Sequence, residues 1–215
     1  MKLEIDNIEL SFDHKRILYG IYLKAETGKI TGLLGRNGCG KTSLLRILFG
    51  SLTPKYFNIR IDGVHQKRKL YKYGNIAYLP QHQLLPEGLK AYKAFNYFNV
   101  DWQLFISTFP SFEKYRNNSV EELSSGELRV IETYLILNSN KKIILLDEPF
   151  SFIAPVYVEK MIALIEIKKQ DTVIVITDHF YKEIMEISDT VYILKEGSCK
   201  QINSLKDLRN EGYII

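Results

Sequence analysis

The chain has 215 residues, 46 % hydrophobic and 25 % charged, which suits one well-buried α/β domain with room for a small lobe and argues against long disordered stretches. A net charge of +4 is too small to announce a nucleic-acid partner, and none is expected. No run approaches the ~18 consecutive apolar residues that span a bilayer, and Met1-Lys2-Leu3-Glu4 lacks a signal peptide's apolar core. The chain is therefore expected in the cytoplasm, reaching a membrane only through a partner.

From the N-terminus, apolar positions alternate with polar ones at Leu3 and Ile5 and again at Ile17, Tyr19, Ile21 and Leu23. This period predicts half-buried strands, joined by a hairpin turn at Asp13-His14-Lys15, in an antiparallel β-lobe. An apolar strand, Ile30–Leu34, then leads into Gly35-Arg36-Asn37-Gly38-Cys39-Gly40-Lys41-Thr42, and an apolar helix is predicted from Ser43 to Phe49. The octapeptide is a full G-x-x-x-x-G-K-[ST] phosphate loop, a pattern that average residue usage produces by chance in about one chain of this length in a hundred. Gly35, Gly38 and Gly40 allow successive N–H groups to curl around a β-phosphate at a helix N-terminus. Lys41 supplies a cation for the β- and γ-phosphates, and the Thr42 hydroxyl can ligate Mg²⁺. A nucleoside triphosphate is the expected ligand, with Asn37, Cys39 and Ser43 completing the loop's contacts. The chain's two cysteines, Cys39 and Cys199, are too few for a disulfide framework and are expected reduced. Cys39, beside Lys41 at a helix N-terminus, is expected to hold a stabilised thiolate.

Further strands are predicted at Phe57–Ile61, Asn75–Leu79, Ile143–Leu146, Val173–Thr177, Val191–Leu194 and Ser198–Ile202. Ile30–Leu34, Ile143–Leu146 and Val173–Thr177 are apolar throughout, as central parallel strands are. The basic run Lys67, Arg68, Lys69 and Lys72 has no interleaved aromatic platform and reads as a solvated face. Between Gln83 and Asn140 helical spacing replaces the strand signal. The expected architecture is thus an α/β core with a mainly parallel central sheet (about 1–83 and 141–215), an N-terminal antiparallel β-lobe, and a helical subdomain (about 84–140). Aromatic residues crowd the stretch from Tyr92 to Tyr115; they read either as that subdomain's core or as a docking groove walled by Leu84, Leu85 and part of Tyr92 to Trp102. Leu128 to Leu137 reads as an amphipathic helix.

Ile143-Ile144-Leu145-Leu146-Asp147-Glu148-Pro149 is an apolar strand ending in two adjacent acids, which a sheet would hold beside the phosphate loop. Asp147 is placed to hold the water shell of Mg²⁺, and Glu148 to orient and deprotonate the water that attacks a γ-phosphate. Upstream lies Leu123-Ser124-Ser125-Gly126-Glu127. This resembles the L-S-G-G-Q signature of the ATP-binding cassette (ABC) family, and the resemblance runs over nearly the whole chain. It implies a P-loop NTPase fold that binds and hydrolyses ATP with Mg²⁺. It further implies that Phe12 stacks on adenine and that Gln81, in Tyr78-Leu79-Pro80-Gln81, touches Mg²⁺ and senses a transport partner. His179, in Thr177-Asp178-His179, matches the switch histidine that contacts the γ-phosphate. Ser124 and Gly126 would close over ATP held by a second cassette, so a homodimer or a pair with a similar cassette is implied. The family also implies a separately encoded transmembrane subunit, which would hold this chain at the inner face of the cell membrane.

The chain departs from the family pattern at three places: Ser125 replaces a glycine, Glu127 replaces the glutamine, and Ala154 stands before Pro155 where an aspartate is usual. Asp147-Glu148-Pro149-Phe150 and Ile176-Thr177-Asp178-His179 look most like the lipopolysaccharide-export and branched-chain amino-acid-import branch. The resemblance points to the ATP-hydrolysing subunit of a transporter. The alternatives are a soluble ATPase such as one for iron–sulfur assembly, or a regulatory cassette with weak hydrolysis. Only 41 residues separate Gln81 from Leu123, which leaves no room for a long coiled-coil insertion.

Overall fold

The computed structural model describes residues 1–13, 15–67 and 69–214. Its N-terminal strand, β1 (Lys2–Phe12), is long enough to pair antiparallel with β2 (Lys15–Leu18) at its end and with β3 (Tyr22–Glu26) along its first half. The alternation that predicted these strands is a one-sided burial: Leu3, Ile5, Ile8, Leu10, Leu18, Ile21 and Leu23 are all buried. At the predicted turn Asp13 takes a left-handed φ of 44°, and His14 lies outside the described residues. Two later strands, β5 (Tyr56–Ile61) and the short β6 (Val64–His65), complete this antiparallel sheet from the far side of the phosphate loop. Lys67, Lys69 and Lys72 are exposed, as expected of a solvated face, while Arg68 lies outside the described residues.

The second sheet runs β11 (Ser198–Ile202), β10 (Thr190–Lys195), β4 (Ile30–Leu34), β9 (Val173–Thr177), β8 (Ile143–Asp147), β7 (Ile76–Leu79), with all pairs parallel except the β10–β11 hairpin. Every residue of β4, β8 and β9 is buried, because both faces of the sheet are covered. Successive residues serve opposite cores: Ile143 and Leu145 face the β-lobe and helix α1 (Lys41–Phe49), Ile144 and Leu146 the helical side. Three helices beyond those predicted follow the core strands: α5 (Pro155–Lys168), α6 (Tyr181–Ile187) and α7 (Leu205–Asn210).

Between β7 and β8 the described residues form helices and no strand, chiefly α2 (Ala91–Phe98), α3 (Trp102–Thr108) and α4 (Ser125–Leu137), with one isolated antiparallel bridge between Lys90 and Ser119. Phe95, Trp102, Phe105, Phe109 and Phe112 there are buried packing, while Tyr97 is exposed. Phe105 is fully buried, with ring centroids 4.9 Å from Phe95 and from Tyr134, 5.2 Å from Phe109 and 5.3 Å from Phe112. Two expectations fail here. Leu85 is only 4 % exposed, so it cannot wall an open docking groove. Helix α4 is buried on all sides from Leu128 to Leu137 rather than amphipathic, because it lies between the sheet, α2 and α5.

Candidate nucleotide site

Parallel register gathers the site. Leu79 pairs with Leu146, Asp147 with Thr177, and Leu33 with Thr177, so Gly35, Gln81, Asp147-Glu148 and Asp178-His179 all leave the sheet at the same edge. The phosphate loop turns there through Gly38 (φ 77°) and Gly40 (φ 113°), conformations that favour glycine. Gly40 is also pressed from outside: a Cβ there would stand 2.9 Å from Leu18 Cδ2. As N-cap of α1 it offers no side-chain hydrogen bond, so the helix presents bare N–H groups, the arrangement that attracts an anion. Lys41 is buried and its Nζ donates to the Gly35 carbonyl at 2.7 Å. A cleft of about 320 Å³ opens over the loop, lined by Phe12, Ile17, Asn37, Gly38, Gly40, Lys41, Thr42, Ser43, Gln81 and Glu148.

Asp147 is fully buried beneath this cleft, where Oδ2 accepts from Tyr78 Oη at 3.1 Å and Oδ1 from Thr177 Oγ1 at 2.7 Å. Burial, and then the charge of Asp147, pushes the Tyr78 phenol above its ordinary pKa, so it stays a donor. Glu148 adopts a left-handed φ of 52°, which swings its carboxylate out of the strand. Three groups meet one oxygen of that carboxylate: Gln81 Nε2 donates to Oε2 at 3.0 Å, Ser151 Oγ donates at 3.3 Å, and His179 Nδ1 stands 3.7 Å away. Asp178, which the sequence reading passed over, is fully buried and accepts from the backbone N–H of His179 (2.8 Å), Phe180 (3.1 Å) and Phe150 (3.3 Å). It ties the loop after Glu148 to the histidine loop; burial pushes its carboxyl up against the opposing pull of those N–H groups.

The remaining predicted residues lie elsewhere. Cys39 turns its side chain away from the cleft, into a second cavity with Arg36, Leu194 and Tyr213, and its N–H donates to Arg36 O at 3.1 Å. Burial raises its thiol despite the nearby Lys41, so the expected thiolate is not stabilised. Ser124 caps α4 in a reciprocal box with Glu127: its Oγ donates to Glu127 Oε2 at 2.7 Å and accepts from Glu127 N at 3.3 Å. Tyr115 donates to the other Glu127 oxygen. Burial alone would raise the Glu127 carboxyl, but the bonds from Tyr115 and Ser124 hold it below its usual range. Gly126 packs so closely on the Phe152 carbonyl that a Cβ would collide with it. Among the described residues Ser124 and Gly126 do not line the cleft.

Arg129 and Glu132 were also missed, although a signal was present: two charges three residues apart inside the otherwise apolar run from Leu128 to Ile131 and the buried remainder of α4. Arg129 donates to the carbonyls of Pro80, Asp147 and Glu148. Buried charges in such a setting need partners, and these partners come from the site itself.

The sequence profile described as "ABC transporter" matches residues 18–151. An uncharacterised ABC transporter ATP-binding protein of Methanocaldococcus jannaschii is 28 % identical over 99 % of this chain and 82 % of its own length. The lipopolysaccharide export system ATP-binding protein of Haemophilus influenzae is 26 % identical, covering 99 % of this chain and 94 % of that one. A solved structure of an ATP-binding subunit of an ABC transporter superposes with a TM-score of 0.81 at 18 % identity, over 99 % of this chain and 94 % of that chain, which shows the fold.

Proposed function

The chain belongs to the ABC transporter family as an ATP-binding, ATP-hydrolysing subunit that works with a membrane subunit, and from that premise we propose how its cleft performs the reaction. Loop N–H groups at the start of α1 receive the β-phosphate, Lys41 swings from its own loop carbonyls to the β- and γ-phosphates, and the half-exposed Phe12 stacks on adenine. Thr42, Gln81 and Asp147 bring oxygen donors only, which suits Mg²⁺, a cation that keeps much of its shell from phosphate and water. Bound there, the ion would neutralise phosphate charge. Glu148 takes a proton from the attacking water as the new O–P bond forms. The bond to the bridging oxygen breaks, and its electron pair leaves on ADP. His179 steadies the γ-phosphate oxygens.

The convergence of Gln81, Ser151 and His179 on one Glu148 oxygen carries this reading. Ser124 and Gly126, outside their own cleft, support a head-to-tail pair of cassettes in which each signature loop covers ATP on its partner. Residues 84–140 are read as the lobe that brings that loop forward. Among the described residues no helix is long and apolar enough to cross a membrane, which fits attachment at the inner membrane face through the partner subunit. Glu148→Gln tests the chemistry. It should keep MgATP binding, lower phosphate release by about a hundredfold or more, and trap an ATP-dependent dimer on size exclusion. Turnover within about threefold of the parent chain would remove Glu148 from the mechanism.

A further inference from the structure

Helix α4 carries two charged side chains into the core: Arg129 is 6 % exposed and Glu132 1 % exposed. A pair present only to neutralise itself would close on a short bidentate contact. Instead Arg129 Nη1 stands 3.7 Å from Glu132 Oε2, and each residue makes its hydrogen bonds with backbone elsewhere, Arg129 as donor and Glu132 as acceptor. Nη1 donates to Pro80 O at 2.6 Å; Nη2 donates to Asp147 O and, at 3.0 Å, to Glu148 O. Glu132 Oε1 accepts from Leu84 N at 2.7 Å and from Leu85 N at 2.9 Å.

These contacts bracket the reacting groups. Pro80 directly precedes Gln81, Leu84 and Leu85 follow it, and Asp147 and Glu148 are the acids of the cleft. Gln81 and Glu148 are themselves joined side chain to side chain at 3.0 Å. Five backbone groups around that contact are thus fastened to one rigid helix, the helix capped by Ser124. At Glu148 the donor also fixes a carbonyl whose residue is held in the left-handed region, where the peptide has little freedom to turn without moving the carboxylate.

We propose that Arg129 and Glu132 are positioning residues for hydrolysis: they hold Gln81 and Glu148 in register through the backbone and carry any displacement of helix α4 to both. The inference rests on Glu148 acting as the base. Arginine is needed because its planar fork serves three carbonyls at once, which a lysine ammonium on a flexible stem cannot do. A buried ion pair is weak evidence of a stabilising role, since well-packed apolar residues commonly replace such pairs without loss.

The test separates rate from folding. Arg129→Lys should retain the urea-unfolding midpoint within about 1 M and bind MgATP within about threefold of the parent, yet lose about tenfold or more in kcat with KM nearly unchanged. Glu132→Gln keeps an oxygen for the Leu84 and Leu85 N–H groups while removing the charge that faces Arg129, and should lose about threefold in kcat. In a Glu148→Gln background Arg129→Lys should cost little more, because both changes act on one step. A kcat for folded Arg129→Lys within about twofold of the parent, or losses that multiply in the double variant, would overturn the proposal. If Arg129→Lys does not fold, Glu132→Gln decides: a fall in kcat at constant KM supports the pair's role, and an unchanged kcat overturns it. A parent chain that hydrolyses no ATP would instead sink the reading of Glu148, and this inference with it.

Discussion

Replacing Leu85 by aspartate is the sharpest probe of how the segment after Gln81 is built. Leu85 is 4 % exposed in the helical-side core, and its N–H is held by Glu132 at 2.9 Å. Losing the buried side chain costs about 1.5–3 kcal/mol. The new carboxyl also sits in apolar surroundings beside another carboxylate, so its ionisation is disfavoured in the folded state. If its pKa rises from about 3.9 to about 7, the ionisation penalty is about 4 kcal/mol at neutral pH, using 1.36 kcal/mol per unit. The combined loss of about 6 kcal/mol consumes much of the 5–15 kcal/mol that stabilises an ordinary domain. The sign with pH follows. An acid whose folded pKa is raised carries no ionisation penalty below its unfolded pKa, and the penalty grows as pH rises from about 4 towards the folded value. Urea unfolding of the parent, Leu85→Asp and the uncharged Leu85→Asn at about pH 4 and about pH 7 reads this directly. The gap between parent and Leu85→Asp should shrink to about 1.5–3 kcal/mol at the lower pH, while that of Leu85→Asn stays constant. A gap under about 1 kcal/mol at neutral pH, or one independent of pH, would refute the burial argument.

Ala154 has the extended backbone of an N-cap (φ −65°, ψ 143°) before Pro155 but no side chain to cap α5, so Ala154→Asp should stabilise the fold by about 1 kcal/mol and raise Tm by about 2–4 °C. A Tm at or below the parent's would show that this helix end is satisfied without a cap. Burial raises the Cys39 thiol and pushes that of Cys199 up to about 12, so at neutral pH maleimide should label the native chain far more slowly than the urea-unfolded chain, with Cys199 the slower of the two. Mass spectrometry of timed samples checks this, and equal native and unfolded rates would contradict the placement of both side chains.

The sequence alone determined whatever a short window encodes. The strand–glycine–helix order around Lys41, the apolar cores of β4, β8 and β9, and the acids ending β8 were legible because period and turn chemistry are local properties. The first three strands of the N-terminal lobe were legible, and β5 was legible as a strand though not as part of that lobe, since nothing within Tyr56–Ile61 says that its partner is β1, about fifty residues earlier. Burial was decided only in three dimensions. Leu84 and Leu85 look alike in sequence, yet Leu85 is buried in the core and Leu84 only half-buried. Cys39 belongs to the phosphate loop by sequence and to another cavity by side-chain direction. Arg129 and Glu132 reached the site only through packing, because a buried charge must take its partners from whatever chain lies opposite, and here that was Pro80, Leu84, Leu85, Asp147 and Glu148.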